Sequence, residues 1–196
     1  LAPVSHHSLF DFLPRDDSPC PADCIFVFAG MPERKRYGIE LWRRGLAPTL
    51  VLSVGRFEWR WFPDLGLRHD GGLREIVGAT PPKKRHFFVT LSGTTASATR
   101  VAKRRFGTRS EALALRELAA REGYKTILVV STSVHLRRAA LTLERLFSGR
   151  PVRLAFTAVP EGMSGVRRRD WWKEPRSRKL VLLELLKLGA YGAGVW

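Results

Sequence analysis

The sequence predicts an α/β fold in which a mainly parallel sheet of about five strands is covered by helices on both faces. Short apolar runs rich in β-branched and aromatic residues are typical of strands that are buried on both sides. Between these runs, apolar residues recur every three or four positions, which indicates amphipathic helices. The two patterns alternate along a chain of 196 residues, a length that suits one such domain.

Each predicted element follows from one of these two patterns. Strands are predicted at residues 24–29, 49–53, 86–91, 126–130 and 152–157. Helices are predicted at residues 33–44, around 73–77, at 108–122, at 136–147 and at 177–188. Gly45 is expected to end the first of these helices. Residues 1–22 are interpreted as a polar lead-in, and residues 23–196 as a single domain.

The chain is strongly basic. Its 34 Lys and Arg residues against 18 Asp and Glu residues give a net charge of +16, with a pI near 11.1. Such a surface favours polyanions, anionic membranes or a site built for negatively charged ligands. No run approaches the roughly 18 to 20 apolar residues that a spanning helix needs. Because the first residue is Leu, we expect a processed chain from which an upstream anchor could have been removed.

The cysteines and the N-terminal histidines do not predict a metal site. Cys20 and Cys24 supply two ligands, whereas a closed zinc site needs four. Cys24 opens a predicted strand and is expected in the core, so a disulfide with Cys20 is not expected. His6 and His7 are interpreted as part of the polar lead-in.

Polar residues follow the predicted strand at residues 126–130, at the end where open α/β sheets bind ligands. Ser131 and Ser133 form a small polar turn, and His135 and Arg138 lie three residues apart on one face of the next helix. This placement predicts ligand contacts for all four side chains. The alternative is that the serines cap the helix, while Arg138 and its neighbour Arg137 belong to a solvated face.

Four motifs occur in order along the chain. They are DCIFVFAG at residues 23–30, ERKRYGIELWRRGLAP at residues 33–48, GTRSEALAL at residues 107–115 and VVSTSVHLRRA at residues 129–139. Together they resemble the YdcF/SanA/ElyC-like family of bacterial proteins. The last two are the most specific, being similar to the family's Thr-x-x-Glu-Ala and Ser-x-x-His-x-x-Arg-Ala sequences. The resemblance extends over about residues 23–188.

The resemblance implies a Rossmann-like three-layer sandwich with a polar pocket at the carboxyl ends of the strands. It also implies a bacterial protein of the cell envelope, because family members are tied to envelope integrity and often carry an N-terminal membrane anchor. We therefore expect a membrane-associated location, through a removed anchor or peripherally, with a cytoplasmic location left open. One branch of the family is associated with S-adenosylmethionine, which is the candidate cofactor, and no reaction is implied.

Candidate ligand-binding residues also follow the first and second predicted strands. Gly30 follows the first strand, and Ser53 and Gly55 end the second, where small residues let a ligand approach the backbone. Arg34 opens the first helix, where a cation is unfavourable against the helix dipole. An anionic partner bound beside Arg34 would offset this effect, so we expect Arg34 to contact the ligand.

Thr108 and Glu111 lie at the start of a predicted helix. They are either ligand contacts or the two ends of a capping box, in which Thr108 is the N-cap and Glu111 reaches back to the cap's N–H. A GxGxxG sequence is absent, which disfavours a nucleotide held in the usual dinucleotide manner.

His135 is the candidate acid–base residue, because the ordinary imidazole pKa of about 6.5 suits proton transfer. The alternative is a hydrogen-bonded core histidine. Ser133 lies only two residues before His135, so a serine–histidine triad is not expected. If the first strand lies beside the fourth, His135, Arg138 and Arg34 should converge on one anionic ligand.

These features leave two functions open. The first is an envelope-associated protein that binds a phosphorylated or nucleotide-like small molecule, S-adenosylmethionine being one candidate; whether it is an enzyme stays open. The second is a basic module for anionic lipid or nucleic acid, without catalytic activity. Nucleic acid is the less expected partner, because the positive residues are scattered and no nucleic-acid motif is present.

Two further segments have alternative interpretations. Residues 56–72 begin with alternating aromatic and charged side chains and are predicted to form a flap over the pocket or to contact lipid headgroups. The alternative is a hairpin strand. The last predicted helix carries Leu180, Val181, Leu183, Leu186 and Leu188 behind a basic, Trp-rich lead-in. It is expected to pack on the sheet, although the lead-in could lie on an anionic membrane surface.

Overall fold

The computed structural model describes residues 6–65, 72–102 and 107–194. The strands are β1 (Cys24–Val27), β2 (Thr49–Val54), β3 (Phe87–Ser92), β4 (Thr95–Arg100), β5 (Thr126–Ser131) and β6 (Arg153–Ala158). The helices are α1 (His6–Asp11), α2 (Pro32–Arg43), α3 (Leu73–Ala79), α4 (Gly107–Glu122), α5 (Ser133–Phe147) and α6 (Pro175–Gly192). The remainder of the predicted lead-in and of the aromatic segment lies outside the described residues, as does the basic stretch just before α4.

The six strands form one sheet in the order β4-β3-β2-β1-β5-β6. β2, β1, β5 and β6 run parallel, and β3 and β4 continue the sheet as an antiparallel pair beside β2. The predicted α/β fold is confirmed. β1 lies beside β5, which was the condition for His135, Arg138 and Arg34 to converge. The count of about five strands missed β4, because this edge strand has exposed or half-buried side chains and therefore no apolar run.

Helices cover both faces of the sheet, which gives the predicted Rossmann-like three-layer sandwich. Successive β1 side chains point to opposite faces, so Phe26 joins the core beneath α4 and α5, whereas Ile25 and Val27 join the core beneath α2. α2 lies very close to β1 at Gly38, where a Cβ atom would stand 2.3 Å from Val27 Cγ2. This close packing fixes the position of α2 relative to the carboxyl end of β1.

α6 forms a further layer outside α5. Its inward side chains Val181 and Leu188 share a third apolar cluster with Val134 of α5 and with Trp171. The expectation that this helix packs on the sheet is not supported, because its partners in this cluster come from α5 and from segments outside the strands. Phe10 and other residues of the segment before β1 also belong to this cluster. Within the part of the chain that the structure describes, no helix combines the length and apolar character needed to cross a membrane.

Candidate functional site

The carboxyl ends of β1 and β5 form a crevice at the point where the strand order reverses. β1 continues through α2 to β2 on one side, and β5 lies on the other, which is the arrangement at which open α/β sheets bind ligands. Arg34, from the first turn of α2, spans this crevice. Its Nη1 donates to the Ala29 carbonyl oxygen at 2.6 Å, and its Nη2 donates to Thr132 Oγ1 at 2.8 Å.

Arg34 is a buried cation whose hydrogen bonds, within the described chain, go to uncharged acceptors. The residue is 8% exposed, and its Nε has no hydrogen-bond partner. Burial lowers the pKa of Arg34 from its ordinary value, and the charges of Glu111, Glu184, Glu58 and Glu33 only partly oppose this effect. A charge buried without a paired carboxylate is costly, and an anion bound beside it would offset that cost.

A cavity of about 140 Å³ lies beside Arg34. The N-terminal ends of three helices contribute to its wall. They supply Glu33 and Arg34 of α2, His135 of α5 with its N-cap Thr132, and Arg176 and Ser177 of α6. Each helix N-terminus carries a partial positive charge, so three of them around one cavity favour an anion. Glu33 and Glu174 also line the cavity, so its wall carries charged groups of both signs.

His135 lies in the wall of this cavity and is almost fully buried. Its Nδ1 is hydrogen-bonded with Ser131 Oγ at 2.7 Å, and its Nε2 lies 3.4 Å from Thr108 Oγ1. Burial lowers the pKa of His135 well below its ordinary value, and the charges of Arg138, Arg34 and, more weakly, other cations add to the effect. The imidazole is therefore neutral at pH 7, and two hydroxyl groups hold its orientation.

Arg138 is paired inside the chain. Its Nε and Nη2 donate to the two carboxylate oxygens of Glu184 on α6, at 2.8 and 3.0 Å, and its Nη1 donates to Thr108 Oγ1 at 2.5 Å. Burial raises the pKa of Glu184, but the hydrogen bonds and charge of Arg138, together with Lys187, outweigh burial and leave that pKa below its ordinary value. Arg138 therefore needs no bound anion to balance its charge.

The capping box predicted at the start of α4 is not formed. Thr108 lies inside the helix, which begins at Gly107, and its hydroxyl group accepts from Arg138 instead of capping the helix. Glu111 Oε1 accepts from the Ala29 backbone N–H at 2.8 Å. Thr108 and Glu111 form hydrogen bonds with Arg138 and with the Ala29 N–H in place of the local cap. Both residues therefore connect α4 to the crevice.

Glu58 and Lys35 are the site residues that sequence reasoning missed. Glu58 Oε1 accepts from the backbone N–H groups of Gly30 and Gly55, at 2.8 and 3.0 Å, and Oε2 pairs with Lys35. Both glycines were predicted to face a ligand, and the chain's own carboxylate occupies that position. The aromatic segment forms two 3-10 turns here, so the hairpin alternative is wrong. The sequence feature that could have identified Glu58 is a single acidic residue within a run of aromatic side chains.

The three predicted serines lie apart from the cavity wall. Ser53 is fully buried and hydrogen-bonded with His86 Nε2 at 2.8 Å, and Ser131 is fully buried beneath His135. Ser133 opens α5 and is half-buried. Thr132, which the motif reading passed over, supplies the hydroxyl group that faces Arg34. The one sequence feature that could have indicated Thr132 as a site residue is its position between Ser131 and Ser133.

The structure thus places Arg34 and His135 at one cavity, and hydrogen bonds connect Thr108 with His135 and Arg138. Gly30 lies directly beside Arg34, where a Cβ atom would stand 2.8 Å from Nη1, whereas Ser53 and Gly55 lie at the end of the neighbouring strand β2. The cavity can bind an anion and hold a neutral imidazole beside it. Among the described residues, no three His, Cys, Asp or Glu side chains lie together so as to hold a metal ion. Comparisons with protein-family models, curated proteins and solved structures find no match, so membership of the YdcF/SanA/ElyC-like family stays a prediction from the motifs.

Proposed function

We propose that this chain binds an anionic small molecule, phosphorylated or nucleotide-like, in the cavity beside Arg34. The observation that carries the proposal is the buried guanidinium of Arg34, a residue of the cavity wall that pairs with no carboxylate among the described residues and whose Nε has no hydrogen-bond partner there. A phosphate or carboxylate group there would supply the missing counter-charge. We also propose membership of the YdcF/SanA/ElyC-like family, on the motifs, and an envelope association in bacteria.

The size of the cavity limits what it can enclose. A volume of about 140 Å³ holds roughly four or five water-sized groups. It therefore accommodates a phosphate or an amino-acid head group, and the rest of a larger ligand would extend from the mouth. Glu33 and Glu174 would suit a ligand that also carries a positive group. S-Adenosylmethionine, with its carboxylate, ammonium and sulfonium groups, is one molecule with these charges.

His135 is the residue that we propose for any proton transfer at this site. Its imidazole lines the cavity, and burial lowers its pKa, which favours the neutral form. Both ring nitrogens face hydroxyl groups of the chain, so proton transfer would require the bound group to replace Ser131 or Thr108 as the partner of one nitrogen. Arg138 and Thr108 would orient His135 without touching the ligand, because their hydrogen bonds are directed to each other and to Glu184. Direct ligand contact by Arg138 stays a prediction of the motif alone.

The test compares Arg34→Gln with Arg36→Gln, an exposed arginine of the same helix. Calorimetry and thermal shift would measure binding of inorganic phosphate, AMP and S-adenosylmethionine. The Arg34→Gln variant loses one charge-assisted hydrogen bond, so its affinity for the probes should be roughly ten- to hundredfold lower than that of the parent. The Arg36→Gln variant should keep the parent affinity. If all three probes leave the parent protein unaffected, or bind both variants equally well, the cavity is not the anion site.

A further inference from the structure

The outward face of α6 is apolar at its centre. Leu182, Leu183 and Leu186 are 46%, 39% and 72% exposed, although the same helix buries Val181 and Leu188 on its inner face. At the period of an α-helix, the three exposed leucines fall on one contiguous surface. α6 is therefore apolar on both sides, and only the inner side is covered within the described chain.

Positive charge borders these leucines. Arg178 lies along one edge of the exposed face, Lys187 lies along the other, and Lys179 lies at the N-terminal end. The single acidic residue of α6 is Glu184, which is buried against Arg138. Every exposed charged side chain on this helix is therefore cationic.

A groove extends the apolar surface towards the N-terminal segment. It runs between α5 and α6, has a volume of about 540 Å³, and is lined by Leu141, Leu185 and Gly189. Phe12, which is 56% exposed, stands at its side together with Arg15. Arg137 and Glu144 also line the groove, and Glu144 pairs with Arg15 at 2.7 Å, so this part of the surface carries charges of both signs.

We propose that the outer face of α6 is a docking surface for an anionic phospholipid bilayer, on which the helix lies in the plane of the interface. Leucines at the centre of the face with Lys and Arg at its edges suit the boundary between acyl chains and anionic headgroups. This contact is independent of the cavity at Arg34, and it does not require a spanning helix.

A bilayer fits this surface better than a second copy of the chain does. A twofold contact through α6 would bring the same patch of both copies together. The cations that border the leucines would then face each other, and α6 has no exposed carboxylate to pair with them. Anionic headgroups supply the charge that a second copy lacks.

Vesicle flotation tests the proposal. The probes are vesicles of phosphatidylcholine alone and of an equimolar mixture with phosphatidylglycerol. The parent protein should float with the mixed vesicles in low salt and dissociate as salt is raised. Leu182→Ser/Leu186→Ser should lower the bound fraction at least tenfold, since it removes two apolar contacts. Arg178→Gln/Lys179→Gln should lower the binding constant about fivefold for each cation.

The matched control is Ile76→Ser, which removes an exposed apolar side chain of α3, far along the chain from α6. It should float like the parent, and circular dichroism should show that all variants keep the parent helix content. No flotation with mixed vesicles would overturn the proposal, as would equal flotation of the leucine and control variants. A dimer in solution that the leucine variant abolishes, without vesicle binding by the parent, would also overturn it in favour of a second copy.

Discussion

Replacing Arg138 by alanine separates a structural role from a ligand-binding role at the centre of the site. The substitution removes two hydrogen bonds to Glu184 and one to Thr108, all between buried groups. Glu184 would remain as a carboxylate at the α5–α6 interface without its main partner. We therefore expect Arg138→Ala to lower the free energy of unfolding, with a smaller effect on ligand affinity.

The size of the effect follows from the burial of the pair. Breaking a buried ion pair from one side costs about 3–5 kcal/mol. Lys187 stays 3.0 Å from Glu184, so the lower end of this range, about 3 kcal/mol, is expected. At roughly 2–4 °C per kcal/mol for a chain of this size, the melting temperature should fall by about 6–12 °C.

Urea unfolding followed by circular dichroism measures the loss, with Arg36→Ala as the exposed control. The double variant Arg138→Met/Glu184→Leu should be more stable than Arg138→Ala, because neither charge is then left unpaired. A loss below about 1 kcal/mol for Arg138→Ala, combined with a strong loss of phosphate affinity, would refute this reasoning. Arg138 would then be a ligand contact, as its motif alone predicts.

Three further predictions concern the surrounding elements. Because the folded protein holds the pKa of His135 below its ordinary value, stability from the neutral imidazole is present above about pH 6.5 and falls below it, by up to about 1.4 kcal/mol per pH unit. Replacing His135 by Asn should flatten this decline in urea unfolding, and unchanged slopes would contradict it. Lys35→Met should cost about 3–5 kcal/mol because Glu58 loses its partner, and Lys35→Met/Glu58→Gln should cost less in the same assay. Gly38→Ala should cost about 1–3 kcal/mol by overpacking β1, whereas Gly189→Ala, with open space around it, should gain about 0.5–1 kcal/mol; equal melting temperatures would contradict both.

Asp23 is a residue of the family-like motifs whose contacts are structural. Asp23, the first residue of the first motif, lies at the opposite end of β1 from the cavity. Its Oδ2 accepts from the backbone N–H groups of Lys125 and Thr126, at 2.7 and 2.8 Å. The carboxylate therefore joins the starts of β1 and β5, which places their carboxyl ends side by side at the crevice.

The sequence by itself determined most of the order of strands and helices, and it indicated the end of the sheet at which the candidate site lies. Apolar runs and helical periodicity are local properties, and they located β1, α2, β5 and α5 to within a few residues. Since the carboxyl ends of parallel strands meet at one edge, Arg34 was expected near His135 on the condition that β1 lies beside β5, and the structure meets this condition. The sequence did not predict β4, because this exposed edge strand has no run of apolar residues.

Only the tertiary structure decided which side chain pairs with which. Glu184 reaches Arg138 across 46 residues, and Glu111 reaches the Ala29 N–H across 82, pairings that depend on where α6 and α4 settle. Local patterns predicted a cap for Glu111 and a ligand for Arg138, because the competing long-range partners are invisible in sequence. Hydrogen bonds and ion pairs form wherever folding brings buried polar groups together. Arg34 and Arg138 were both predicted to contact an anion, and only the partners seen in the structure distinguish them, because Arg138 is paired with Glu184.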